Sequence, residues 1–112
     1  MSGEPTDVAV EAAVRVLKLL CDPTRLRIVW TLIHGEHSVN ALADHVGARP
    51  AAVSQHLAKL RAADLVSVRR EGNRIFYAAR NEHIERLVAE ALLQADHLVD
   101  GARHHHPQAR TA

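Results

Sequence analysis

The chain has 112 residues, 14 Lys and Arg against 13 Asp and Glu, one cysteine (Cys21), and only Trp30, Phe76 and Tyr77 as aromatic residues. Such a length makes one domain with an aliphatic core that a partner subunit can complete; the single thiol excludes an intramolecular disulfide framework, suits a reducing cytoplasm and reads as a small buried residue, and no apolar run reaches membrane-spanning length. The net charge of +1 is unevenly placed, because between Arg49 and Arg74 six basic residues stand against two acidic ones, a net +4 that leaves −3 for the rest.

Residues 1–6 are expected to be disordered and carry no signal-peptide pattern. Val10, Ala13, Val14, Leu17 and Leu20 predict an amphipathic helix from Asp7 to about Cys21, which must cover the core or meet a partner chain. Asp22-Pro23 then supplies an acidic N-cap and a proline at the first helical position. The helix it opens places Leu26, Val29, Trp30 and Ile33 on one face and stops at Gly35. Ser38 caps a short third helix with Val39, Leu42, Ala43 and Val46 at helical spacing; Gly47 closes it and Pro50 begins the next. Helix Pro50 to Ala63 buries Val53, Leu57 and Leu60, leaving Ala51, Ser54, Gln55, Ala58 and Lys59 outside that stripe.

After Ala63 the period changes. Leu65, Val66 and Val68, then Ile75, Phe76 and Tyr77, form two β-rich runs around Gly72-Asn73, a hairpin whose tip carries Arg69, Arg70 and Arg74. A last helix begins after Asn81, runs to about Val99 with Ile84, Leu87, Val88, Ala91, Ala95 and Leu98 on one stripe, and stops at Gly101. The domain therefore spans residues 7–100, and 101–112 form a flexible His-containing tail. The fold class is mainly α with a β-hairpin wing: a winged helix-turn-helix, dimeric through its first and last helices.

Small residues beside Ser54 and Gln55 let a helix approach base-pair edges in a major groove, whereas the alternative is an ordinary helical hairpin with a solvated face. A basic hairpin alone is usually a solvated turn, but directly after a helix-turn-helix it is a wing for phosphate or minor groove. The expected partner is double-stranded operator DNA, met by Arg49, Ser54, Gln55, His56, Lys59, Arg69, Arg70 and Arg74. No Ser, Cys or carboxylate pair is set as an activated nucleophile or acid/base couple, so the chain is not expected to be an enzyme.

Three segments carry a family likeness: Asp22-Pro23-Thr24-Arg25-Leu26-Arg27; Val53-Ser54-Gln55-His56-Leu57-Ala58-Lys59-Leu60-Arg61; and Leu65-Val66 leading to Glu71-Gly72-Asn73-Arg74-Ile75-Phe76-Tyr77. With them in this order, the chain resembles the ArsR/SmtB family of dimeric winged-helix metal-responsive repressors. The resemblance implies a cytoplasmic homodimer on an inverted-repeat operator, released when an inducer binds. Asn81-Glu82-His83, and Asp96-His97 before a His-rich tail, are most similar to the family's nickel and cobalt sensors.

Thiolate metal sites and dithiol switches need a cysteine pair, and Cys21 is alone, so nine histidines remain. His34 and His37 flank a helix end, His45 reads as exposed, and His56 either contacts DNA or links its helix to neighbours. His83 and His97 share the last helix, roughly 21 Å apart along the axis but only about 40° apart around it. One ion cannot bridge them within a chain; antiparallel pairing of two such helices makes two symmetric intersubunit sites. In the family's four-ligand zinc version of this helix site an Asp and a His stand where this chain has Asn81 and Gln94, both poor ligands. Asp96 can add a carboxylate, and His104, His105 and His106 can fold back to raise the nitrogen and oxygen count toward six. Such a set suits Ni2+ or Co2+ better than Zn2+. A zinc-responsive or metal-independent regulator of the same fold is the alternative.

Overall fold

The computed structural model describes the backbone of residues 3–111 and the side chains of residues 3–102. The order is α1 (Asp7–Leu20), α2 (Pro23–Ile33), α3 (Val39–Val46), α4 (Pro50–Ala62), β1 (Val66–Glu71), β2 (Arg74–Ala79) and α5 (Glu82–Thr111), as the periodicity predicts. Local chemistry sets most boundaries. Thr6 Oγ1 accepts the Ala9 N–H at 3.1 Å and Ser38 Oγ that of Ala41 at 3.2 Å, each supplying an orphan helix donor with a partner. Asp22 Oδ2 accepts from Arg25 N at 2.9 Å, and this bond holds the carboxyl below its ordinary value. Asn81 Oδ1 accepts from Ile84 N at 3.1 Å. Gly47, at φ 70°, closes α3, and α4 stops where Asp64 turns left-handed at φ 66° so that Leu65 N donates back to Leu60 O at 2.9 Å.

The core lies where α2, α3, α4, the root of the hairpin and the start of α5 converge: Ile28, Val29, Leu32, Leu42, Val53, Leu57, Leu60, Val66, Ile84 and Val88. Three expectations need correction. On α2 the buried residues are Ile28, Val29, Thr31 and Leu32, with Trp30 left 43 % exposed. This helix is covered by α3, β2 and α5 on several sides, so its buried arc is wider than one stripe and turned away from Trp30. Cys21 is exposed rather than buried, because it caps α1 at a turn instead of facing inward. Gly101 does not stop α5; it lacks the left-handed φ of Gly47 and Gly72, and the helix continues to Thr111.

The hairpin pairs Val66 with Ala79 through to Glu71 with Arg74. Gly72 takes φ 62° and Asn73 does not, the sign pattern of a type II′ turn. Midway along the hairpin, His37 N donates to Tyr77 O at 3.0 Å and Tyr77 N to His37 O at 2.9 Å, so the α2–α3 connection adds a one-residue bridge to the outer edge of β2. The chain is elongated, with a radius of gyration of 17.4 Å against about 13 Å for a compact chain of this length.

Candidate functional site

Helix α4 lies across the core through Val53, Leu57 and Leu60, and at about 100° per residue that anchoring decides what its outer side presents. Ala51, Gln55, Ala58 and Ala62 lie farthest from the buried stripe, and all are exposed. Ser54, also exposed, sits on one flank, as does Arg61, which shares a groove with Tyr77 of the wing. Lys59 sits on the other flank, where it borders a groove with Arg15 and Lys18 of α1. Arg49 is exposed at the N-cap and makes no side-chain cap bond. A row of methyl groups around one amide, edged by cations, can enter a groove and hydrogen-bond there without a steric barrier.

His56 is turned the other way. It is half-buried, and its Nδ1 lies 3.2 Å from Arg25 Nη1. Arginine only donates, so Nδ1 accepts and neutral His56 carries its proton on Nε2. Arg25 Nε in turn donates to Leu19 O at 2.6 Å. Of the two roles expected for His56, the structure displays the link: it ties α4 to α2 and, through Arg25, to the end of α1. The contribution of Arg25 was not visible in the sequence, because its partners lie 31 residues downstream and 6 upstream.

The three wing arginines are not equivalent. Arg69 donates from Nε to Glu36 Oε2 at 2.9 Å and from Nη2 to Oε1 at 2.8 Å, and its Nη1 lies 3.5 Å from Glu71 Oε1. The guanidinium also sits 4.7 Å from the Phe76 ring centroid. The hydrogen bonds from Arg69 hold the Glu36 carboxyl below its ordinary value, and the same bonds push the guanidinium's pKa up. Arg70 and Arg74 are exposed and form no ion pair among the described residues; Arg74 rests 5.2 Å from the Phe76 ring centroid. Glu36, the partner that holds Arg69, was not singled out by the sequence reading.

The metal-ligand candidates are dispersed within one chain. His83 and His97 are exposed, and Arg86 Nη2 lies 3.4 Å from His83 Nδ1, a long surface contact. Asp96 is exposed about 100° around the helix from His97 and borders a groove with Pro23, Arg27, Trp30 and Leu92. Asn81 spends its side-chain oxygen on the α5 cap. Among the described residues, no group of three or more His, Cys, Asp or Glu side chains is placed to hold one ion. The side chains of His104, His105 and His106 lie outside the described residues. The remaining histidines have local partners: His34 Nδ1 is 2.8 Å from Trp30 O, His37 Nδ1 is 2.9 Å from Gly35 O, and the exposed His45 ring meets that of His37 edge-on at 5.8 Å.

An exposed helix carrying Ser54 and Gln55 beside a basic hairpin is the architecture of winged helix-turn-helix DNA-binding regulators of transcription. The chain belongs to the arsR family: the profile described as "Bacterial regulatory protein, arsR family" matches residues 22–68. The HTH-type transcriptional regulator KmtR of Mycobacterium tuberculosis is 47% identical over 103 residues, 92% of this chain and 79% of the relative. NmtR of the same organism, also an HTH-type transcriptional regulator, is 36% identical over 94% of this chain and 88% of its own length. Among solved structures, the homodimeric winged helix-turn-helix DNA-binding domain Mb0332 of Mycobacterium bovis matches with a TM-score of 0.78 at 33% identity, covering 90% of this chain and 95% of that one. Among the described residues, no helix is long and apolar enough to cross a membrane.

Proposed function

We propose that the protein is a repressor that binds an inverted-repeat operator as a homodimer and leaves it when nickel or cobalt binds between the subunits. Dimerisation is supported by the apolar side chains left uncovered on the two outer helices. On α1 these are Val8, Val10, Val14 and Leu17; on α5 they are Leu87, Leu93, Leu98 and Val99. Two-fold pairing of these faces buries both sets and places the two α4 helices to read symmetric half-sites. The elongated shape of the single chain agrees with this, and the Mycobacterium bovis neighbour is itself homodimeric.

The observation that carries the metal reading is the position of His83 and His97 on the side of α5 away from its buried Ile84 and Val88, among the uncovered Leu87 and Leu98. Antiparallel pairing of two α5 helices brings His83 of one protomer toward His97 of the other, twice. Imidazoles with the Asp96 carboxylate and the histidines of residues 104–106 make a nitrogen and oxygen donor set free of thiolate, which fits borderline divalent ions. Asn81, committed to the cap, is no part of that set, so a zinc site built from α5 alone lacks ligands. The Arg86 contact to His83 is long and exposed, and gives way at little cost. A bound ion supplies a crosslink between the two last helices. His83 and His97 hold it, and α5 transmits its position through Ile84 and Val88 to the core on which α4 lies.

Release requires the ion to favour the arrangement that fits DNA less well, and operator DNA must weaken metal binding by the same factor. Titrating the operator complex with nickel or cobalt should lower its fluorescence anisotropy to that of free DNA. An anisotropy unchanged at saturating metal leaves the metal-independent regulator as the reading.

A further inference from the structure

We propose that Glu36 sets how many phosphates the wing can hold, by keeping Arg69 off the DNA. Glu36 stands between α2 and α3, beside the His37–Tyr77 backbone bridge, so its carboxylate meets the wing one cross-strand pair beyond that bridge, at Arg69 opposite Phe76. All three guanidinium nitrogens of Arg69 face carboxylate oxygens, Nε and Nη2 those of Glu36 and Nη1 that of Glu71, and Phe76 stacks beneath. A carboxylate engages an arginine fork with the same two-point geometry as a phosphate. Glu36 therefore occupies the place a DNA phosphate would take. The wing carries Arg69, Arg70 and Arg74 but presents only the last two.

The consequence is a limit on sequence-independent affinity. Binding to arbitrary DNA depends on phosphates neutralised, and each adds about −0.9 to the slope of log affinity against log salt. Withholding one arginine reduces attachment to the wrong sites while leaving the base-reading face of α4 untouched. A phosphate contact strengthens binding to every sequence alike, so its withholding lowers affinity for all sites by one factor and leaves their ratio to the base-reading face of α4. This inference rests on DNA binding alone and is independent of any metal response.

The test measures salt slopes on a scrambled duplex for the dimeric wild type and variants, with thermal melts to confirm folding. E36Q removes the charge that holds the fork, so the slope should steepen by about 0.9 per subunit engaged. Raising salt from 50 to 200 mM should then cost about 3.5-fold more affinity per contact than in wild type. R69A in the E36Q background should return the slope to the wild-type value, whereas E36D, which keeps the carboxylate, should not steepen it. R69A alone should leave the slope unchanged, while R74A flattens it by about 0.9. A flatter slope for R69A alone, or an unchanged slope for E36Q, would overturn the proposal.

Discussion

Replacing Ser54 and Gln55 together by alanine should convert a specific binder into a non-specific one. Both side chains are exposed on α4 and neither bonds to the rest of the chain among the described residues, so the folded state loses nothing it uses. Surface substitutions of this kind stay within about 0.5 kcal/mol, and alanine favours helix more than serine does. Each base contact removed costs about 1–3 kcal/mol, or about 5- to 150-fold in affinity, and a two-fold-symmetric operator incurs the loss in both half-sites. An operator selected from a pool of randomised duplexes would be compared with a scrambled duplex by fluorescence anisotropy at several salt concentrations. Operator affinity should fall toward the scrambled value, while scrambled affinity and its salt slope stay unchanged. Undiminished operator affinity, or an equal fall on both duplexes, would refute the assignment of α4 as the reading helix.

Leu98→Glu should yield a folded monomer in sedimentation, since Leu98 is 61 % exposed in the single chain, and operator affinity should drop because the half-sites are no longer read together; a variant that remains dimeric counts against α5 as the interface. Ser38→Ala removes the α3 cap bond and should cost about 1 kcal/mol, seen as a melting temperature lower by about 4–8 °C. In acid, Asp22 and Glu36 have folded pKa values below their ordinary 3.8 and 4.5. Their stabilisation is therefore complete above those values and lost as pH falls through the lower folded ones. The melting temperature should decline below about pH 4.5, and the decline should be shallower in Glu36→Gln.

Features settled within three or four residues were legible in the sequence. Asp22, Ser38 and Asn81 cap helices by reaching the third N–H onward, Gly47 turns left-handed, and Gly72-Asn73 closes a hairpin. Each rests on local geometry that a short stretch fixes by itself. The buried stripe of α4, and with it the outward placement of Ser54 and Gln55, follows from helical period alone. Contacts joining distant segments were not legible: Arg25 with His56 spans 31 residues, and Arg69 with Glu36 spans 33. A basic residue at a hairpin tip looks the same in sequence whether it faces phosphate or is already held by a carboxylate. Trp30 was misplaced because a helix packed on several sides buries more than one stripe, and Gly101 because glycine marks a helix end only where the chain turns. His83 and His97 were legible as a pair about 40° apart around α5, but the intersubunit ligand set proposed for them depends on a second chain.

Metal-driven release through α5 can be read from a single comparison on the operator complex. Wild type and a His83→Ala, His97→Ala double variant would be titrated with nickel and with cobalt while anisotropy reports bound DNA. Both residues are exposed and belong to α5 rather than α4, so the metal-free proteins should bind the operator equally. A coupling of about 1–3 kcal/mol predicts that saturating metal weakens the wild-type complex about 5- to 150-fold, while the double variant stays bound. A double variant released at the same metal concentrations as wild type would rule out release through His83 and His97.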